Sequence, residues 1–232
     1  MKDQIEIFSE KIGLNFNNPD LLREALTHRS YLNENPRAGL ANNERLEYLG
    51  DAVLELIVTE FLFNKFLAYQ EGQLTSLRAA LVNYQMLSRV ANEISLAKHI
   101  LLSRGEAKDT GRAREVIAAN AFEALIGAIY LDRGYKETEK FIHNSVLKHL
   151  DEIIEKKLYL DPKSELQELI QEKFRVTPTY KVLTETGPDH QKSFSVGVYF
   201  TDERFAEGIG QSKQEAESRA AETALKKLAK NA

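Results

Sequence analysis

Residues 43–56 read NERLEYLGDAVLEL. Leu46, Leu49, Val53, Leu54 and Leu56 recur there at helical spacing, so the segment is predicted to be a helix with an apolar face. Glu47 and Asp51 lie four residues apart, which sets both carboxylates on one face about one turn from each other. Their neighbours are Leu46, Tyr48, Leu49, Ala52 and Val53 rather than an evidently polar face, and a cation would relieve the repulsion. A second predicted helix, residues 116–131, reads VIAANAFEALIGAIYL and carries one formal charge, Glu123, with Asn120 three residues earlier on the same face. A lone carboxylate in so apolar a helix is costly unless it is paired or bound to a metal. Placed against Glu47 and Asp51 it makes an all-oxygen site, which suits Mg²⁺ or Mn²⁺ and not zinc. The alternative is that Glu47 and Asp51 cap or pair with Arg45, Arg78 or Arg112 and that Glu123 meets an arginine in the core. Spacing alone leaves both readings open.

Outward from these helices, the 232 residues divide into one larger and one smaller unit at ordinary domain sizes. The first 150 or so are almost entirely helical in pattern, broken by polar loops at 33–43, where Asn42 and Asn43 can cap the next helix, and at 105–114. The character changes near Leu158. Residues 151–157 read as a charged helix end and Asp161-Pro162 as a stop, with a new helix opening near Ser164 and running to about Phe174. Three β-like segments follow, near 179–185, 192–200 and 204–210, with turns at 187–190 and 201–203. A final helix from about Ser212 to Ala229 turns Ala216, Ala220, Ala221, Ala224 and Leu228 toward the sheet. The expected fold is therefore multidomain. An all-α domain over 1–150 and a linker over 151–161 precede a small α+β domain, ordered α-β-β-β-α, over 162–230.

Composition narrows the chemistry. The chain has no cysteine, which excludes disulfides, a thiolate nucleophile and Cys-based iron-sulfur or zinc sites, and which accords with a reducing, cytoplasmic setting. The start, MKDQIEIFSEK, lacks the basic-then-apolar order of a secretory signal. No run reaches the roughly 20 apolar residues of a membrane span, so no membrane partner is expected. With 31 basic and 35 acidic side chains the net charge is −4, which by itself argues mildly against nucleic acid.

The motifs argue the other way. NERLEYLGD at 43–51 resembles the signature of the bacterial ribonuclease III family. ALTHRSY at 25–31, EGQLTSLRAALV at 71–82 and RGEAKDTGRAREVIAANAFEALIGAIYLD at 104–132 resemble that family's further blocks. The second unit resembles the double-stranded RNA-binding domain that follows the nuclease domain there. The likeness covers nearly the whole chain in the right order. It implies a helical endonuclease domain working as a homodimer on duplex RNA, not DNA. Two metal ions would serve in-line hydrolysis to 5′-phosphate and 3′-hydroxyl ends with two-nucleotide 3′ overhangs, typically in ribosomal RNA precursor processing. Carried over by motif position, Glu47, Asp51 and Glu123 become catalytic carboxylates that hold Mg²⁺, for which Mn²⁺ is a possible substitute. Glu44 and Glu71 match further acidic positions of the cleavage site. Tyr48 falls where the signature usually has Phe, at the family's dimer contact, a position equally compatible with an ordinary core aromatic.

Asn120 departs from the pattern, since many family members carry Asp there. Asn keeps an oxygen that can ligate a cation or hold a bound water, but it removes a negative charge and cannot act as a base. It is either a natural variant acting as a neutral member of the metal set or an introduced change that traps substrate. The competing function is thus a non-catalytic binder of double-stranded RNA whose site Asn120 disables. A metal phosphohydrolase of small molecules would leave the second domain unexplained.

In the RNA-binding half the resemblance places Ser164, Gln167, Glu168 and Gln171 on the helix that meets a minor groove, and Gly187 to His190 in the loop that meets another. His190 is expected to touch solvent or RNA rather than metal, because no Cys or second His lies nearby. The family's lysine-rich cluster is here Gln211-Ser212-Lys213-Gln214-Glu215-Ala216-Glu217, with Lys213 as the phosphate contact and Arg219 one turn on. Residues 161–232 hold 11 basic and 12 acidic groups, a net of −1, so modest affinity is expected of this unit. Phe194, Val196, Val198 and Phe205 read as core.

Overall fold

The computed structural model describes residues 4–188 and 192–230. It divides into two compact units, Met1–Tyr159 and Leu160–Ala232. The first is helical: α1 (Gln4–Lys11), α2 (Pro19–Ala25), α3 (Arg29–Glu34), α4 (Glu44–Lys65), α5 (Glu71–Val82), α6 (Tyr84–Glu93), α7 (Arg112–Arg133), α8 (Tyr135–Ser145) and α9 (Leu150–Glu155). The second runs α10 (Pro162–Phe174), β1 (Thr179–Thr186), β2 (Ser193–Phe200), β3 (Glu203–Gly210), α11 (Lys213–Lys230).

α7 is the axis of the first unit. Ala118, Ala121, Phe122, Leu125, Ile126 and Ile129 are all within 1% of full burial, so this helix is apolar nearly all round, as a central helix must be. Around it pack Leu54, Ile57, Val58 and Leu62 of α4, Leu77 and Leu81 of α5, and Leu87 and Val90 of α6. Leu56, placed by spacing among the apolar positions of α4, instead faces solvent. The junction between α2 and α4 is held by Asn43, which is buried. Its backbone N–H donates to the Thr27 carbonyl at 2.9 Å and its side chain to the Ala25 carbonyl at 3.3 Å. Asn43 is the N-cap residue of α4, its carbonyl accepting from the Glu47 N–H at 2.8 Å, but its side chain makes no cap bond; the Glu44 N–H donates instead to Asn42 Oδ1 at 3.3 Å.

Two boundaries differ from the sequence expectation. Residues 151–155, read as a charged helix end but placed in the linker, do form a helix, α9, which belongs to the first unit because Ile153 is 1% exposed within its core. The charges lie on the solvent side, where Glu152 meets Arg89 at 2.9 Å and Lys156 at 2.8 Å. Asp161-Pro162 is a start rather than a stop. Asp161 Oδ2 accepts from the Ser164 N–H at 3.1 Å, and Pro162 opens α10, where its missing N–H costs nothing.

The sheet is antiparallel in the order β1-β2-β3, with Val182 opposite Val196 and Val198 opposite Ala206. Leu166 and Ile170 of α10 pack with Val198, Ala206, Ala220, Ala221 and Ala224 in one core. The alanines of α11 are needed because the helix lies almost on the sheet: a Cβ at Gly208 would stand 2.2 Å from the Ala220 nitrogen. Phe194, Val196 and Val198 are buried and Phe205 half-buried, all as core residues.

Candidate active site

α4 and α7 form the most extensive interhelical contact of the first unit, and two glycines set its distance. A Cβ at Gly50 would fall 1.7 Å from the Glu123 carbonyl oxygen, and one at Gly127 would fall 2.3 Å from that of Leu46. Both are overlaps with backbone, so only glycine permits this approach. In sequence the pair shows only as isolated glycines inside two apolar helical runs, a signal for close packing.

The consequence is a meeting of charges. Glu47 and Asp51 on α4 come against Glu123 on α7, with Asn120 one turn before it. Glu123 is half-buried, and its carboxyl is pushed up to about 8, first by burial and then by the negative charges of Asp51 and Glu47. Glu47 is also raised, by burial foremost and by Glu44 and Asp51, and is partly relieved by the hydrogen bond that the Asn120 amide gives it. That bond needs a donor, which an ionised Asp at 120 would not offer.

The arginine alternative does not hold. Arg78 pairs with Glu55 at 3.6 Å and donates to Thr59 at 3.0 Å, while Arg112 lies over the Tyr84 ring at 5.5 Å. Among the described residues, Glu47, Asp51 and Glu123 form no ion pair with Lys or Arg. Nor do three or more Asp, Glu or His side chains among them stand in an arrangement that could hold a metal ion. The acids are neighbours in charge without forming a ready-made ligand cage.

Of the other expected positions, Glu44 adjoins this group, acting on Glu47 while held by Arg29 at 3.4 Å and Asn42 at 3.3 Å. Glu71 is exposed in the first turn of α5 and is not among the charges acting on Glu47 or Glu123. Tyr48 is 84% exposed, which overturns its reading as a core aromatic; helical spacing puts it on one side of α4 with exposed Leu56 and Phe63. In the second unit Ser164, Gln167, Glu168 and Gln171 are exposed along α10, and Lys213 is exposed at the start of α11 with Nζ 5.8 Å from the Phe194 ring centre. His190 lies outside the described residues.

Comparison with known proteins agrees with this layout. Residues 18–150 match the ribonuclease-III-like family model and residues 162–228 the double-stranded RNA binding motif. The chain is 42% identical over 226 residues to Ribonuclease 3 of Desulforamulus reducens, covering 97% of this chain and 92% of that protein. It is 43% identical over 227 residues to Ribonuclease 3 of Borreliella burgdorferi, covering 98% and 92%. A solved nuclease domain of ribonuclease III from Campylobacter jejuni, described as flexible in a region involved in dimer formation, superposes with a TM-score of 0.56 at 40% identity. That match covers 62% of this chain and 97% of the other. With family models over both units and such relatives along nearly its whole length, the chain belongs to the bacterial ribonuclease III family, as a nuclease domain followed by a double-stranded RNA-binding domain.

Proposed function

We propose that the protein is an endonuclease that hydrolyses double-stranded RNA with Mg²⁺, leaving 5′-phosphate and 3′-hydroxyl ends with two-nucleotide 3′ overhangs, in ribosomal RNA precursor and other RNA processing. The observation that carries this is Glu123, a half-buried carboxyl that shares the charge of Asp51 and Glu47, with no ion pair to Lys or Arg among the described residues to balance them. Such a deficit of positive charge fits a hard divalent cation, and the oxygen-only donors Glu47, Asp51, Asn120 and Glu123 match Mg²⁺ or Mn²⁺. Held by these residues, Mg²⁺ would supply an activated water and stabilisation of the departing 3′ oxygen. Glu123, whose carboxyl is pushed up to about 8 by burial and its acidic neighbours, would hold the cation as a carboxylate. Asn120 holds Glu47 through its amide. Glu44 and Glu71 take lesser parts in placing metal or substrate.

The exposed Tyr48, Leu56 and Phe63 on α4 fit a homodimer contact, since a lone soluble helix face seldom leaves so many large apolar groups in water. No helix among the described residues is long and apolar enough to cross a membrane, and a cytoplasmic enzyme is the reading we adopt. Duplex RNA is bound through Ser164, Gln167, Glu168, Gln171 and Lys213.

Asn120 favours one rival, a duplex-binding protein with a disabled site. A labelled RNA duplex incubated with EDTA or Mg²⁺ and resolved on a denaturing gel decides between them. Discrete Mg²⁺-dependent fragments support the nuclease. Binding without cleavage, reversed by Asn120→Asp, establishes the rival.

A further inference from the structure

The first turns of α11 carry two cations, Lys213 and Arg219, but the two are not equivalent. Arg219 Nη2 lies 2.6 Å from Glu215 Oε1, and its Nη1 donates to the Ile209 carbonyl at 2.7 Å. The other carboxylate oxygen of Glu215 accepts from the Gln211 backbone N–H at 2.8 Å, while the Glu215 N–H donates to Ser212 Oγ at 3.1 Å. The pattern Ser212-Lys213-Gln214-Glu215 is thus a variant of the reciprocal cap, with the acid reaching the N–H one residue before Ser212 and also seizing an arginine. One carboxylate occupies a backbone amide and a guanidinium together, the donor combination that grips a phosphate oxygen. Nearby, Lys163 at the start of α10 is taken up in the same way, 2.5 Å from Glu217. Among the described residues Lys213 forms no ion pair.

We propose that Glu215 is an intramolecular competitor of the RNA phosphates, holding Arg219 out of the duplex contact and so limiting the affinity of the RNA-binding domain. This rests on the reading of residues 162–228 as a duplex RNA-binding domain. In the free protein Arg219 contributes little net positive potential, because its partner cancels it within contact distance. A duplex approaching α11 must displace the carboxylate or bind through Lys213 without Arg219. Both routes give a weaker, less salt-sensitive complex than the count of basic residues suggests, and both favour release of cleaved products.

The test uses the full-length protein and a labelled RNA duplex in EDTA, with binding followed by fluorescence anisotropy across a KCl series. Glu215→Gln keeps a side chain that can accept from the Gln211 amide but removes the charge that neutralises the guanidinium, which is then held by the Ile209 carbonyl alone. It is expected to tighten binding about 3- to 10-fold and to steepen the slope of log Kd against log[KCl] by about one. Arg219→Gln alone leaves the Glu215 carboxylate uncancelled and should weaken binding, whereas combined with Glu215→Gln it should return affinity to near the wild-type value, a cancellation that loss of a helix cap would not produce. Equal affinity and equal salt slope for wild type and Glu215→Gln, with the helical signal unchanged, overturn the competitor role. Failure of both proteins to bind duplex at low salt overturns the RNA-binding reading itself, and the inference with it.

Discussion

Replacing Glu123 by Gln removes the one charge that the α4–α7 contact tolerates least. A carboxyl displaced from 4.5 to about 8 binds more protons folded than unfolded between those values, so it lowers stability as pH rises through that window. Below pH 4.5 both states are protonated and the penalty is absent; above 8 it is complete, at about 5 kcal/mol. At pH 5.5 only about 1.4 kcal/mol has developed. In metal-free protein, Glu123→Gln should therefore gain on wild type by about 3 kcal/mol between pH 5.5 and pH 9. The variant should be the more stable protein at alkaline pH while losing cleavage. Urea denaturation in EDTA, followed by circular dichroism at 222 nm at one fixed protein concentration, reads this directly, because the first unit supplies most of the helix. A gap that stays constant to within about 0.5 kcal/mol across the series would refute the claim that Glu123 is held neutral by burial and its acidic neighbours.

Mg²⁺ titrated into wild type at pH 7 should release close to one proton, seen by calorimetry in buffers of different ionisation enthalpy, and Glu123→Gln should release none. Gly50→Ala should cost at least about 3 kcal/mol or prevent folding of the first unit, since its Cβ meets backbone rather than a movable side chain; a melt within a few degrees of wild type would contradict this. Asn120→Asp restores a negative charge and should lower the Mg²⁺ concentration for half-maximal cleavage, at the loss of the amide bond to Glu47. Tyr48→Ala should shift the protein toward monomer in sedimentation, because the ring is 84% exposed in the single chain; an unchanged dimer removes Tyr48 from the interface. Lys213→Ala should weaken duplex binding and reduce the salt slope by about one.

Much of this was legible in the sequence, for reasons that differ by element. The spacing of Glu47, Asp51, Asn120 and Glu123 is a property of the α-helix itself, so their faces followed from periodicity, and the order of helices and strands followed from where that periodicity changed. Which helices would touch did not follow, because the α4–α7 contact is made by Gly50 and Gly127, residues with no side chain to display a pattern. Asp161-Pro162 was misjudged because proline ends one helix and begins another with equal ease. Residues 151–155 read as a helix end, which α9 is, but their many charges obscure Ile153, the side chain that anchors it to the first unit rather than to a linker. Tyr48 was open between core and surface, for a helix position does not say which neighbour covers it. The Ser212 to Glu215 cap stood in plain view, but a sequence cannot show that the same glutamate also captures an arginine a turn away.

The backbone contact at Gly50 and Gly127 also bears on what the protein can afford to change. Where side chains set the distance between two helices, any substitution at the seam resets the chemistry carried beside it. Here main-chain atoms abut main-chain atoms, and the gap has no rotamers through which to drift. The acidic positions can then vary one at a time, Asn for Asp at 120 among them, without altering the frame that presents them. The seam decouples inheritance of the site's shape from inheritance of its charge.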